Sequence, residues 1–572
     1  MNLNNQRGIA LAFSLYIVVI LLALSSVFVL RTVQEANMAR VERELAKSFY
    51  IAEGGSQAGL GDLEELINTD LLNTVSSTNA QTVANSADDD NVLNFLEKFT
   101  KRDGQKQFIF NEDETALTYQ GTLMPLDGLN YSLSYQYAIV VTGKGPPDEI
   151  KVGEEWDLPY FYRIETTGST KDLSQEIVLS GDFTVHVKKD NFAKYALFTD
   201  HHTLPDEKTS VWFTKNTNFA GPVHTNHNFS FAGNPSGTFE GSVTQHEQKA
   251  RFLNNAVPGI LLDADANEGI DVPIFNAGFE RGVDTIVLES SIQKQDLSDQ
   301  ATGEKGGDSK INGNGIFIPN DGQNLKGGIF VRGDSTITMS VDGNNAQYTI
   351  NEGGVTKVVS VDKENKKTTV SESGKSDLIY NGLPDGTDNE GTIVYVEGTV
   401  NGLAGTVQKD QEVTISGDRD IVITGDIRYE NFNLGVGKPG DADYVPPNAD
   451  DKTNLLGILS WGGNVRVGAS APNNINMHGT VLARNGIFTV DNYNAGTPRG
   501  TATLLGGAIT QFYGAFGTFN KDGLKSGYGR NFVYDGRMLL GKSPPYFPTL
   551  KTYTSFSNDI TDKIVWQEGG TN

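Results

Sequence analysis

From Ile9 to Leu30 the chain runs 22 residues, IALAFSLYIVVILLALSSVFVL, without a charged side chain. As a helix rising 1.5 Å per residue, this segment covers roughly 33 Å, enough to cross a bilayer. Beyond Arg31 the apolar positions thin to helical spacing. Val33, Ala36, Val41, Leu45, Phe49 and Ala52 recur on one side, with Arg40, Glu44 and Ser48 interleaved near the 3.6-residue period. The pattern predicts one long helix over residues 9–68, transmembrane over 9–30 and packed on a head thereafter. TVSSTNAQTVANSADDD then reads as a polar linker or surface loop, and residues 91–101 as a short helix.

From Gln107 to Lys189 the period changes to two. FIF, ALTYQGTL, YSLSYQYAIVVTG, YFYRIETTGST and QEIVLSGDFTVHVK alternate apolar and polar residues between turn clusters, which predicts a compact antiparallel sheet covering the helix. Residues 69–190 are thus expected to form an α+β domain with the end of the helix. From residue 191 to 572 the strands shorten to four to six residues punctuated by glycine and asparagine, as in GTIVYVEGTVNGLAGTV and QEVTISGDRDIVITGDI. Strand and turn follow one another with no helix between them. The expected fold of this large all-β domain is a β-solenoid or β-helix, in which each coil covers its neighbour's apolar face, with antiparallel sandwiches as the alternative.

Composition narrows the class. The 572 residues exceed a single ordinary core. A formal net charge of -25 argues against a nucleic-acid partner, because phosphate binding needs clustered Lys and Arg. The absence of cysteine excludes disulfides, thiolate metal sites and cysteine catalysis.

A conventional signal peptide has a shorter apolar core, followed by a small-residue cleavage site. Here the plausible processing residue, Gly8, lies before the apolar run. NNQRG followed by IALAFSLYIVVILLAL resembles the leader of type IV prepilins. The resemblance implies a leader over residues 1–8, cleavage by a prepilin peptidase after Gly8 and methylation of the new N-terminus at Ile9. The family's usual glutamate at the fifth mature position is replaced by Phe13. In that family the carboxylate is thought to neutralise a neighbouring subunit's N-terminal ammonium inside the filament. The same departure is found in PilX-type minor pilins and K-type pseudopilins of type II secretion. LAKSFYIAEGGSQAGL, residues 45–60, is similar to the stretch closing the PilX-type N-terminal region through Ala52, Glu53 and Gly55. The tail, through FAGPVHTNHNFSFAG and GTVLARNGIF, resembles an uncharacterised bacterial β-rich domain found behind such N-termini.

Candidate chemistry is sparse. His201, His202, His224, His227 and His246 fall in a short window that stacked coils could gather around a transition metal, although asparagine-rich turns of this kind commonly serve backbone hydrogen bonding. LLDADANEGIDVP offers Asp263, Asp265, Asn267 and Asp271 as oxygen ligands for calcium. Its glycine is at the seventh rather than the sixth place, and Ile274 stands where an EF-hand has its bidentate glutamate. Asp441, Asp443, Asp450 and Asp451 are equally compatible with a solvated loop. Asp200, Asp206, Asp418 and Asp420 could serve a carbohydrate-active enzyme only if two converged. No G-x-S-x-G, P-loop or Rossmann fingerprint occurs, so no enzyme is expected.

The resulting expectation is a minor-pilin-like structural subunit, located at a filament tip or priming assembly. Its partners would be other pilin subunits and the prepilin peptidase. It would sit in the inner membrane before assembly and at the cell surface afterwards. The alternatives are a K-type pseudopilin and a pilin-anchored adhesin with a surface or glycan ligand.

Overall fold

A computed structural model of the chain describes residues 3–121, 124–127, 130–151, 153–232, 237–253, 261–262, 271–288, 291–447, 453–520, 523–561 and 564–568. It has one long N-terminal helix followed by a large, mostly β structure of many sheets. The chain divides into two compact units, one of residues 1–189 with 552–572 and the other of 190–551. The C-terminal segment returning to the first unit corrects the expectation of a single domain over 191–572.

In the first unit, helix α1 (Leu3–Glu65) continues through a π-helical turn, Leu66–Leu71, into Leu72–Ser76. Helical structure therefore passes the expected end at residue 68. Two short helices follow, Ala80–Ala87 and Val92–Phe99, capped by the side chains of Asn79 and Asn91. The sheet orders Ile109–Phe110, Leu117–Gln120, Asn130–Gly143, Glu155–Ser169, Ser174–Asn191 and Thr549–Phe556. The pairings from Ile109–Phe110 through Ser174–Asn191 are antiparallel. Strict alternation directs Trp156, Leu158, Tyr160, Tyr162 and Ile164 inward, against Leu63, Leu66, Ile67 and Leu71 of the helical rod.

Upstream of that core, small residues let helix and sheet approach closely. Ser48, Ala52, Gly55, Ser56 and Gly59 are buried at helical spacing, and Ser56 Oγ donates to Thr166 Oγ1 at 3.0 Å. A Cβ on Gly55 would lie 2.7 Å from Thr166 Cγ2, and one on Gly59 2.7 Å from Ile164 Cγ2. The π turn has its own task. Asn68 Oδ1 accepts from Ser557 N at 2.9 Å, and Asp70 receives Arg102 Nε at 3.0 Å. Extra-wide helical turns of this kind re-aim side chains, and here one reaches the returning C-terminal segment.

In the second unit the chain alternates between two large sheets. Ile329–Arg332, Thr392–Glu397, Glu412–Gly417, Leu455–Ser460, Thr480–Ala483 and Ala508–Phe512 stack in parallel in one sheet. Ser335–Asp342, Val400–Val407, Ile421–Tyr429, Asn476–His478, Pro498–Leu505 and Gly523–Val533 stack in parallel in the other. The unit's first strand, Leu197–His201, lies in mid-sheet. Ala508–Phe512 flanks it on one side, and Val223–Thr225, Val243–Gln245 and Phe279–Arg281 continue on the other.

The register lines up Ile329, Val394, Ile415, Ile458, Val481, Ala508, Leu197, Val223 and Val243 in one row, none more than 2% exposed. This row accounts for the short β-branched runs: every strand buries its aliphatic side chain against those of the strands on either side. The Asn and Asp texture of the corners has an equally local cause. Asp420 Oδ1 accepts from Asn464 N at 2.9 Å, and Asn464 Oδ1 from Ile487 N at 3.0 Å. Each side chain thus satisfies a backbone donor distant in sequence.

Two parts differ from the expected monotony. Ser335–Asp342, Asn345–Glu352, Val355–Asp362, Lys367–Glu372 and Leu378–Asn381 form an antiparallel meander on the second sheet. A helix, Ser291–Thr302, covers the outer face of the first sheet with Leu297 and Ala301 buried, where no helix was expected. Its sequence, SIQKQDLSDQAT, carries few apolar residues, so periodicity does not reveal it.

Candidate functional site

Two regions collect the residues singled out by sequence. The first is the start of α1. Gly8 and Ile9 lie within the helix, and a Cβ on Gly8 would meet nothing within 4 Å. Ile9 is 64% and Phe13 66% exposed, and every residue from Gly8 to Leu30 is exposed. The helix is long and apolar enough to cross a membrane. Such a surface is compatible with membrane anchoring, because an exposed 22-residue apolar cylinder is far larger than water-facing patches usually are. Past the apolar run the helix carries paired charges. Arg31 reaches Glu35 at 3.7 Å, Lys47 reaches Glu44 at 3.0 Å, and Arg40 reaches Asp172 of the sheet unit at 2.9 Å. Within the 45–60 stretch, Ala52 and Gly55 face the sheet and Glu53 is exposed.

The second region is the histidine-rich part of the second unit, whose five imidazoles separate onto different surfaces. His202 is 1% exposed among the rings of Phe213, Phe229 and Tyr513, and burial holds its pKa well below the ordinary value. It is a core residue. His224 projects to the other side of the sheet. Its Nε2 donates to Asn226 Oδ1 at 3.0 Å, and its Nδ1 accepts from Thr244 Oγ1 at 2.7 Å. That network fixes the neutral tautomer, and burial lowers its pKa to about 4. His246 Nδ1 lies 2.7 Å from the carbonyl of Val283, while His201 stacks on Phe512 at 5.2 Å. His201 and His227 lie 6.0 Å apart by ring centroid. Along the strand His224 and Asn226 share a face, whereas Thr225 between them turns inward to Thr199, and His202 lies beyond the end of Leu197–His201.

Among the described residues, no group of three His, Asp or Glu side chains is placed to hold a metal ion. Asp263, Asp265 and Asn267, named above for calcium, lie outside the described residues, and Asp271 is fully buried. Of the second acidic group, Asp441 and Asp443 are exposed on a loop, while Asp450 and Asp451 lie outside the described residues. Asp206 closes its own turn by accepting from Lys208 N and Thr209 N. Asp418 is tied to Tyr395 and Lys294, and Asp420 to Arg466. These acids are engaged locally.

Sequence inspection missed the pocket beside His201. It measures about 280 Å³ and includes Phe198, Asp200, Asn226, Ile286, Arg484 and Gln511 in its lining. Its residues come from chain segments more than three hundred positions apart, brought together because Leu197–His201 and Ala508–Phe512 are adjacent strands.

A family described only as a domain of unknown function (DUF4900) has a model that matches residues 155–247. The match takes in the two longest strands of the first unit and the first strands of the second, with all five histidines above. No curated protein and no solved structure matches the chain.

Proposed function

We propose that the chain is a minor-pilin-like structural subunit, held in the inner membrane by residues 9–30 and later docked by the same helix among other pilin subunits. The observation that carries this reading is the continuity of one helix. A fully exposed apolar segment beginning immediately after Gly8 runs without a break into a helix packed by small residues on an antiparallel sheet. Prepilin peptidase would cut between Gly8 and Ile9. The first unit would then be a pilin-like α+β module. The second would be a β-solenoid presented outside the cell, a reading supported by the alternation of parallel strands between two sheets.

Phe13 bears on position within the filament. An ammonium buried among helices without a carboxylate costs several kcal/mol, so a subunit with Phe13 is a poor partner for a neighbour's charged N-terminus. A subunit with no neighbour above it incurs no such cost. The size of the second unit favours the same place, because a head of this size fits poorly in every turn of a tightly wound shaft. The test is gold labelling of sheared filaments with antibody against residues 190–551. Label confined to one filament end is the expected result. Label repeated along the shaft, or filaments free of label while the protein stays in the membrane fraction, would overturn the placement.

A further inference from the structure

The parallel strands align polar side chains on the outer face at the seam between the last coil and the first. Thr199 pairs with Thr510 and His201 with Phe512, so Asp200 stands opposite Gln511. Ala483 pairs with Thr510, which brings Arg484 beside Gln511, and Thr199 pairs with Thr225, which brings Asn226 beside Asp200. Arg484, Gln511, Asp200 and Asn226 thus succeed one another across four neighbouring strands, a line of roughly 14 Å at ordinary strand spacing. Two positions earlier on the same strands lie Leu482, Ile509, Phe198 and His224, all buried, which floor the line with a firm row.

The site is built before any ligand arrives. Asn226 donates to Asp200 Oδ1 at 2.9 Å and to the carbonyl of Ile286 at 2.8 Å, and accepts from Ile286 N at 2.8 Å. With its contact to His224, the amide is fully used. Its role is to clamp the segment 285–288 as a wall, on which Val287 stays 62% exposed. The polar edge left toward the pocket comprises the Gln511 amide, the Arg484 guanidinium and Asp200, whose Oδ2 lies 3.5 Å from His201 Nε2. Arg484 Nη1 reaches Asn485 at 3.1 Å, but its Nε is buried with no acceptor among the described residues. Two strand spacings, about 10 Å from backbone to backbone, separate Arg484 from Asp200. A donor left without an acceptor is a cost that a ligand oxygen would offset.

The chemistry of the line selects among ligands. A phosphate or polyanion would meet Asp200 and a chain of net charge -25. A hydrocarbon would strand three polar groups. A polyhydroxylated ligand of no net charge donates to the carboxylate, accepts from the guanidinium and lays its C–H face on the apolar wall. We propose that this pocket binds an uncharged saccharide, with Asp200 and Arg484 as its hydrogen-bonding ends and Val287 as its apolar wall. The proposal stands independently of how the chain is anchored.

The test applies the detergent-solubilised full chain to an array of neutral oligosaccharides of hexose and N-acetylhexosamine units beside sialylated and sulfated ones. Calorimetry with the best neutral oligosaccharide follows, on the wild type, Arg484→Met and Val287→Trp. Retention of neutral oligosaccharides is expected, with a loss of about tenfold or more in both variants at unchanged thermal midpoints. Val287 is exposed, so its replacement fills the pocket without disturbing the core and decides the matter even if Arg484→Met folds poorly. The proposal is overturned if no neutral oligosaccharide binds at millimolar concentration, if only sialylated or sulfated ones bind, or if Val287→Trp binds as the wild type does.

Discussion

Replacing Gly168 with alanine adds one methyl group to the tightest contact between α1 and its sheet. The added Cβ would lie 2.3 Å from both Ala52 N and Ser48 O and 2.8 Å from Ala52 Cα. These are backbone atoms of a regular helix, so no side-chain rotation relieves the overlap. An ordinary contact needs roughly 3.4 Å, so the helix must lift by about 1 Å over the stripe of Ser48, Ala52, Gly55 and Ser56. Overpacking of this kind costs about 1–3 kcal/mol, and stretching the buried Ser56–Thr166 hydrogen bond adds about 1 kcal/mol. The expected destabilisation of the first unit is therefore about 2–4 kcal/mol. Gly61 provides the control: it lies on the same helix with nothing within 4 Å of an added Cβ, and Gly61→Ala should stabilise by about 0.5–1 kcal/mol through helix propensity. Hydrogen exchange of residues 48–60 and 155–169 in the solubilised full chain reads both variants. Unchanged protection in Gly168→Ala, or equal effects of the two substitutions, would refute the close-packing account.

In the second unit, Asn464→Ala removes the acceptor of Ile487 N and should cost about 1–2 kcal/mol, read as a lower denaturation midpoint for residues 190–551; no change would mean that water replaces the corner side chain. The buried histidines make stability depend on pH. His224 and His478 titrate near 4 when folded and near 6.5 when unfolded, so their contribution is complete above 6.5 and is lost as pH falls from 6.5 through 4. Each withdraws up to about 1.4 kcal/mol per pH unit in that window, and His224→Gln should narrow the difference in thermal midpoint between pH 7 and pH 5. An identical difference in wild type and variant would show that His224 is not held neutral.

The long helix, the first sheet and the strand-rich remainder were legible because each rests on local periodicity: the charge-free run from Ile9, the alternation from Trp156 to Ile164, and the brief aliphatic runs such as TIVYV. What was not legible depends on partners distant in sequence. The return of residues 552–561 to the first unit turns on contacts such as Ser557 with Asn68 and Tyr162 with the carbonyl of Ile560, which no local pattern announces. The π turn at Leu66–Leu71 holds the weak helix formers Asn68, Thr69 and Asp70, which read as a helix end, and the partners of Asn68 and Asp70 lie far away in sequence. The five histidines were conspicuous as a cluster in sequence, yet His202, just past the end of Leu197–His201, packs among core rings while His224 is held in a polar network. The pocket beside His201 was invisible for the converse reason: Asp200 and Gln511 become neighbours only because Leu197–His201 and Ala508–Phe512 pair.

The claim that the chain enters the membrane as a pilin-type precursor meets its most direct test in the mass of its mature N-terminus. Protein isolated from the membrane of cells with an active prepilin peptidase should begin at Ile9 and carry one N-methyl group, and cells lacking the peptidase should retain residues 1–8. A mature chain beginning at Met1 in both, or one cut after Ser26, would contradict it.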